Sequence, residues 1–201
     1  MFRSRTRLVR AALEEDIGQE DVTTNSTVPA NAHCLAQLVA KQDGVMSGVE
    51  LFRTVFDCLK AGISDWGAHS DGHPFKKGEI LISFCGNTRA VLTGERVALN
   101  FIQHLTGVAT MTSHFVEAVK GLKTRICDTR KTTPLLRKFE KMAVIHGGGT
   151  NHRHSLFNGV MIKENHIVAA GSIRKAVKLA ADGTHHLMKV AVEVRNLTEF
   201  G

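Results

Sequence analysis

Between His146 and Ile167 the chain reads HGGGTNHRHSLFNGVMIKENHI, with four histidines, an arginine and a lysine around three consecutive glycines. Three chemistries are open to so much nitrogen: a metal centre, a nucleic-acid surface, or an active site for anions. Zinc is disfavoured because His146, His152, His154 and His166 match no common spacing of paired cysteines and histidines. Arg153 also stands between His152 and His154, and its charge opposes a divalent cation. Arginine binds carboxylates and phosphates bidentately, so an anion site suits the composition better. The GGGTN run could add backbone amides, since glycine lets an anion approach the chain closely, although glycine runs are more often plain turns.

The elements that must position these residues alternate between strand and helix. In the second half, TRICDT (124–129) reads as a buried strand, and PLLRKFEKMAVIH (134–146) as a helix with Pro134 in its first turn. GVMIK (159–163) is the next strand, and SIRKAVKLAADG (172–183) a helix capped by Ser172 and ended by Gly183. MKVAVEV (188–194) is a third strand, and NLTEF opens a further helix. Such units predict a parallel sheet or barrel, whose ligands sit at the carboxyl ends of the strands. Those ends carry Asp128-Thr129-Arg130-Lys131, then Lys163-Glu164-Asn165-His166, then Glu193 and Arg195, with Asn151-His152-Arg153 from the intervening loop. Charge at three strand ends outweighs the ordinary reading of any one of them as a solvated loop residue.

The first half is expected to hold a helix near 6–17, a strand at 34–41, a helix at 48–62, a strand at 80–86, and a long helix from Thr88 towards Lys120. Between them HSDGHPFKKG (69–78) reads as a loop. A domain boundary is expected near 110, giving domains of 1–110 and 111–201. An eight-stranded barrel usually needs ~250 residues, so the barrel part is expected to be incomplete in a chain of 201.

Hydrophobic content of 43% and charged content of 22% are ordinary globular values. No apolar run approaches the roughly 18 residues that cross a bilayer, so a soluble protein is expected. The four scattered cysteines contain no C-x-x-C pair and suggest reduced thiols in the cytoplasm. Arg3, Arg5, Arg7 and Arg10 resemble a targeting segment faintly, but Leu8, Ala12, Leu13 and Ile17 fit an amphipathic helix. The net charge of +7 suits nucleic acid or a small polyanion. The chain has no Tyr, one Trp and no basic run interleaved with aromatics, which favours the polyanion.

Five motifs in order, EEDIGQEDVTT, GERVALNFIQHLTGVAT, DTRKTTP, GGGTNHR and MIKENHI, resemble quinolinate phosphoribosyltransferase across essentially the whole chain. The resemblance implies an N-terminal α/β sandwich domain followed by an open α/β barrel. It implies conversion of quinolinate and phosphoribosyl pyrophosphate, with magnesium, into nicotinate mononucleotide, pyrophosphate and carbon dioxide for NAD synthesis. Arg130, His152, Arg153 and Lys163 match the family's substrate-contacting positions, and Lys131 matches one facing phosphoribosyl pyrophosphate. Glu193 matches an acid near the ribose, so Glu193, Lys131 and Lys163 are the expected catalytic groups. Arg96 matches an arginine lent to the neighbouring subunit, which implies a homodimer; on sequence alone it reads as a helix-surface charge. No protein-held metal site is expected. Two departures stand out: Leu135 and Glu20 occupy positions where relatives often carry glycine. Family members continue past residue 201, so an inactive relative that dimerises and binds quinolinate is the alternative, with a basic nucleic-acid-binding module behind it.

Overall fold

A computed structural model describes residues 2–200 as two compact units, one up to Asn151 and one from His152 onward. The first unit opens with helices α1 (Phe2–Ile17) and α2 (Val22–Thr27), followed by strands β1 (His33–Val39) and β2 (Gly44–Val45). Then come α3 (Val49–Cys58), β3 (Ser64–Ala68), β4 (Pro74–Phe75) and β5 (Ile80–Asn87). Helices α4 (Thr88–Ala118) and α5 (Arg137–His146) complete it.

Strands β1, β5 and β3 form an antiparallel sheet in that order, while β2 pairs with β4. In β1 the alternation is plain: Cys34, Ala36 and Leu38 turn inward, while Leu35 and Val39 face out. The inner face meets an aromatic cluster of Phe52, Phe56, Trp66 and Phe84, with ring centroids 5.0–6.5 Å apart. Val9 and Leu13 of α1 are buried in the same core, and Leu8, Ala12 and Ile17 pack against it, as the helical periodicity requires. Strand β3 was not foreseen. Its sequence SDWGA is poor in strand formers, Asp65 has φ of 50°, and only Trp66 reaches the core.

The second unit holds β6 (Val160–Ile162), α6 (Glu164–Ala170), α7 (Ile173–Gly183) and β7 (Val190–Val192). β6 and β7 pair in parallel, Val160 opposite Val190 and Ile162 opposite Val192. The architecture is therefore α/β as expected, and no closed barrel forms among the described residues. No helix of the described residues is long and apolar enough to cross a membrane.

Four local expectations need correction. TRICDT is not a buried strand: Cys127 is exposed, and the segment makes one parallel bridge, between Cys127 and Thr150. NLTEF forms a single turn over Leu197–Glu199 capped by Asn196. Gly183 is the last helical residue of α7, with Thr184 as the cap after it.

Pro134 precedes α5 instead of lying in its first turn. Between them Leu135 takes φ of 67°, the left-handed region that favours glycine, and its side chain contributes little because it is 86% exposed. Glycine is thus the residue this backbone asks for, while Glu20 shows no positive φ and carries no such strain. Leu135→Gly is expected to stabilise the chain. The left-handed cost of roughly 1–2 kcal/mol exceeds the entropy cost of glycine, leaving a net gain of about 0.5–1 kcal/mol. Chemical denaturation should show that gain; a loss would mean that Leu135 makes a contact that matters.

Candidate active site

The DTRKTTP loop is built from its two ends inward. At its start, Asp128 pairs with Lys141 of α5, a lysine that is 1% exposed. The Asn151 amide, with its nitrogen oriented by the surrounding network, donates to Asp128 Oδ2 at 2.6 Å and to the Lys141 carbonyl at 2.9 Å. The backbone closes the same corner, because Thr150 N donates to Ile126 O (2.8 Å) and Asp128 N donates to Thr150 O (3.1 Å). At the far end of the loop, Glu140 accepts from Thr133 N at 3.0 Å and lies 2.7 Å from His104 Nε2. Arg137 bridges the middle, donating to Thr132 Oγ1 and to the Arg130 carbonyl. Helix α5 thus turns two charged residues inward while Ile145 is 48% exposed, the reverse of an amphipathic surface helix. Reading the sequence by hydropathy misses Glu140 and Lys141 for that reason. The available signal was that Glu140 follows Thr133 by seven residues and Lys141 follows Asp128 by thirteen, within reach of a loop that needs anchoring.

Arg130 emerges from this frame with its Nε buried and without a hydrogen-bond partner. Lys131 is exposed, and its amide donates to Thr129 Oγ1 at 3.0 Å. Arg96 is an exposed charge on the surface of α4 and makes no hydrogen bond or ion pair among the described residues.

The glycine run does something other than cradle an anion. Gly147, Gly148, Gly149 and Thr150 donate their amides to Ala143, Ile145, Val144 and Ile126 carbonyls, leaving none for a ligand. A Cβ on Gly147 would stand 2.3 Å from Ala109 O and 2.7 Å from Thr112 Cβ, both on α4. The glycines therefore let the end of α5 press against α4.

In the second unit, Lys163 follows β6 and Glu193 follows β7. The parallel register brings them together in an ion pair of 2.9 Å, with Lys163 Nζ donating to Glu193 Oε2. Lys163 is half exposed and Glu193 more so; such pairs contribute little stability, so a ligand can open this one readily. The Lys163 amide donates to His166 Nδ1 (3.0 Å), which fixes that ring's tautomer. Arg153 donates from Nη1 to the Gly159 carbonyl at 2.8 Å, and His152 is exposed. Arg195 is taken up by Glu199, its Nη2 2.7 Å from Oε1, so this cation of the expected rim is already neutralised.

Residues 21–106 match the N-terminal domain of the quinolinate phosphoribosyl transferase family, and residues 108–201 its C-terminal domain. The chain is 43% identical over 180 residues to a probable carboxylating nicotinate-nucleotide pyrophosphorylase of Bacillus subtilis, covering 90% of this chain and 62% of that protein. It is 35% identical to the corresponding probable enzyme of Methanothermobacter thermautotrophicus, covering 94% of this chain and 68% of that one. Among solved structures, NadC from Streptococcus pyogenes aligns with a TM-score of 0.89 at 41% identity, over 96% of this chain and 70% of that one. The chain thus spans somewhat over 60% of the length of the relatives it matches first.

Two outcomes are expected from the frame. Lys141→Met should cost about 3–5 kcal/mol in urea denaturation, because it strands a buried carboxylate, and the double change with Asp128→Leu should recover much of that loss. For Glu140, burial pushes the carboxyl up, but hydrogen bonds from Thr133 and His104 outweigh it and hold the pKa below the ordinary value. A depressed carboxylate contributes stability above its unfolded pKa, about 4.3, and loses that contribution as pH falls through the lower folded value. Glu140→Gln should therefore flatten the fall in stability below about pH 4.3; an unchanged acid limb would remove Glu140 from this role. By its motifs, its two domain matches and these relatives, the chain belongs to the quinolinate phosphoribosyl transferase family.

Proposed function

We propose that the chain serves carboxylating phosphoribosyl transfer: quinolinate and phosphoribosyl pyrophosphate become nicotinate mononucleotide, pyrophosphate and carbon dioxide, a step of NAD synthesis. The observation that carries the reading is Arg130. A buried guanidinium nitrogen with no protein partner, held in place through its own carbonyl, is a site prepared for an anion. Quinolinate offers two carboxylates on a pyridine ring, and Arg130 is suited to take one of them as a bidentate fork. Arg153, fixed by one nitrogen to Gly159, keeps further donors for a carboxylate, with His152 one residue away. Lys131 is suited to the phosphates of the second substrate.

The pyridine nitrogen attacks the anomeric carbon of the ribose as the C–O bond to pyrophosphate breaks. That transition state carries oxocarbenium charge, which Glu193 is suited to stabilise once Lys163 turns to a substrate oxygen. The ring nitrogen is then cationic, and its charge stabilises the carbanion left on the adjacent ring carbon when carbon dioxide departs, until solvent protonates that carbon. No covalent enzyme intermediate is needed, and the site residues act by position and charge. Magnesium would be held by the diphosphate oxygens of the substrate and would offset the charge of the leaving group. Asp128 and Glu193 are poor ligands for it, since each is already paired with a lysine.

The exposed, unpaired Arg96 fits a group lent across a homodimer. A domain boundary near 110, supported by matches that end at 106 and resume at 108, makes α4 a helix shared by both domains. The four free cysteines fit the reducing cytoplasm. Nucleic-acid binding is not favoured by the family.

Isothermal titration of the chain with quinolinate should show one site, weakened at least about tenfold in Arg130→Ala, given about 1.5–3 kcal/mol for a charged hydrogen bond. A folded chain that binds no quinolinate, or binds it equally well without Arg130, would overturn the assignment.

A further inference from the structure

The connection from β3 to β5 brings together three side chains that the proposed reaction does not use. His69 lies just past β3, His73 just before β4, and Glu79 just before β5. Both imidazole Nε2 atoms reach the same carboxylate oxygen, Glu79 Oε1, at 3.1 Å from His69 and 3.0 Å from His73. One ligand atom from each residue lies within 4.8 Å of the other two, the one such group of three among the described residues.

We propose that His69, His73 and Glu79 form a binding site for a divalent transition metal of the zinc type, with three protein ligands and a fourth position open. Zinc with nitrogen and oxygen ligands near 2.0–2.1 Å sets tetrahedral ligand atoms about 3.3 Å apart, and the two nitrogen–oxygen spacings of 3.1 and 3.0 Å lie close to that. Two nitrogens and one carboxylate oxygen are a donor set that zinc accepts and magnesium does not favour.

The ligands sit on a pinned backbone, in contrast to a solvated histidine loop. His69 N donates to Leu81 O (3.0 Å), Met46 N to His73 O (2.9 Å), and Ala40 N to Glu79 O (2.9 Å). The two turns of the loop are fixed likewise, Gly72 N to Met46 O and Gly78 N to Ala40 O, both glycines holding φ near 90°. A second layer orients the carboxylate, because Lys76 N donates to Glu79 Oε2 at 3.0 Å. The charge of Lys76, the loop lysine nearest Glu79 in sequence apart from Lys77, is drawn off, its Nζ lying 2.8 Å from Asp43.

One rearrangement is required. The two rings stack in parallel, 4.0 Å between centroids and 4° between planes, and parallel rings cannot both aim a lone pair at one ion. Each ring must turn about its Cβ–Cγ bond. With side chains 39% and 33% exposed, both have room to do so. A bound ion then ties the ends of β3, β4 and β5 together and stabilises the sheet by mass action.

The test titrates the purified chain with zinc chloride in competition with a chromophoric chelator, with magnesium chloride as the contrasting ion. One zinc per chain is expected and no displacement by magnesium. Affinity should fall more than about 100-fold in both His73→Ala and Glu79→Gln, and stay within a factor of about two in His185→Ala. Circular dichroism checks that each variant folds, and His69→Ala replaces whichever does not. Zinc should raise the unfolding temperature reversibly with chelator, and cobalt(II) should give the visible bands of a low-coordinate site. Absence of zinc binding, or binding that survives both ligand substitutions, overturns the proposal. Quinolinate binding is read separately, so a failure here leaves the reading of the active site standing.

Discussion

A buried lysine, Lys141, against a buried aspartate, Asp128, is the constraint on which the site of the first unit depends. An ion pair out of water is stable only when its remaining hydrogen-bonding capacity is met. Asn151 and the backbone of Thr150 help to meet it, and in doing so they fix where the arginine-bearing loop leaves the frame and where the glycine-rich turn ends. The function of the pair is geometric. It replaces a flexible loop root with a specified one, at an energetic cost that an apolar pair would avoid.

The glycine run and the charged face of α5 are two parts of one packing solution. Helix α5 approaches α4 closely because Gly147 and Gly149 leave no Cβ between them. That approach puts His104 of α4 within hydrogen-bonding distance of Glu140, which in turn holds Thr133 at the far end of the loop. Glycines that look like an anion cradle in sequence therefore serve the anion site indirectly, by letting two helices hold the loop that carries Arg130. Leu135 is the point where this frame is strained, since the turn into α5 demands a backbone that leucine adopts at a cost.

Electrostatics sorts the charged groups of each unit into those held neutral and those left available. Glu193 is masked by Lys163 and Arg195 by Glu199, both on exposed surface where pairs are easily exchanged. Arg130 is different: its Nε is buried and has no protein partner to exchange. An anion at Arg130 displaces no protein partner of Nε, whereas one at Lys163 must open an existing ion pair.

The sequence by itself determined the family, the longer helices and strands and the charged strand ends, because these depend on local periodicity and on motif wording within short windows. It placed α4 to within two residues and named Ser172 as the cap of α7. Tertiary structure alone decided the inward charges of α5, the use of the glycine amides, the bridge that replaces a strand at Cys127, and the meeting of His69, His73 and Glu79. Each of these rests on contacts between residues distant in the chain or on backbone angles set by packing. Periodicity assigns a residue to a face of its own element; whether that face meets water, a partner charge or another helix is fixed only when the chain closes on itself.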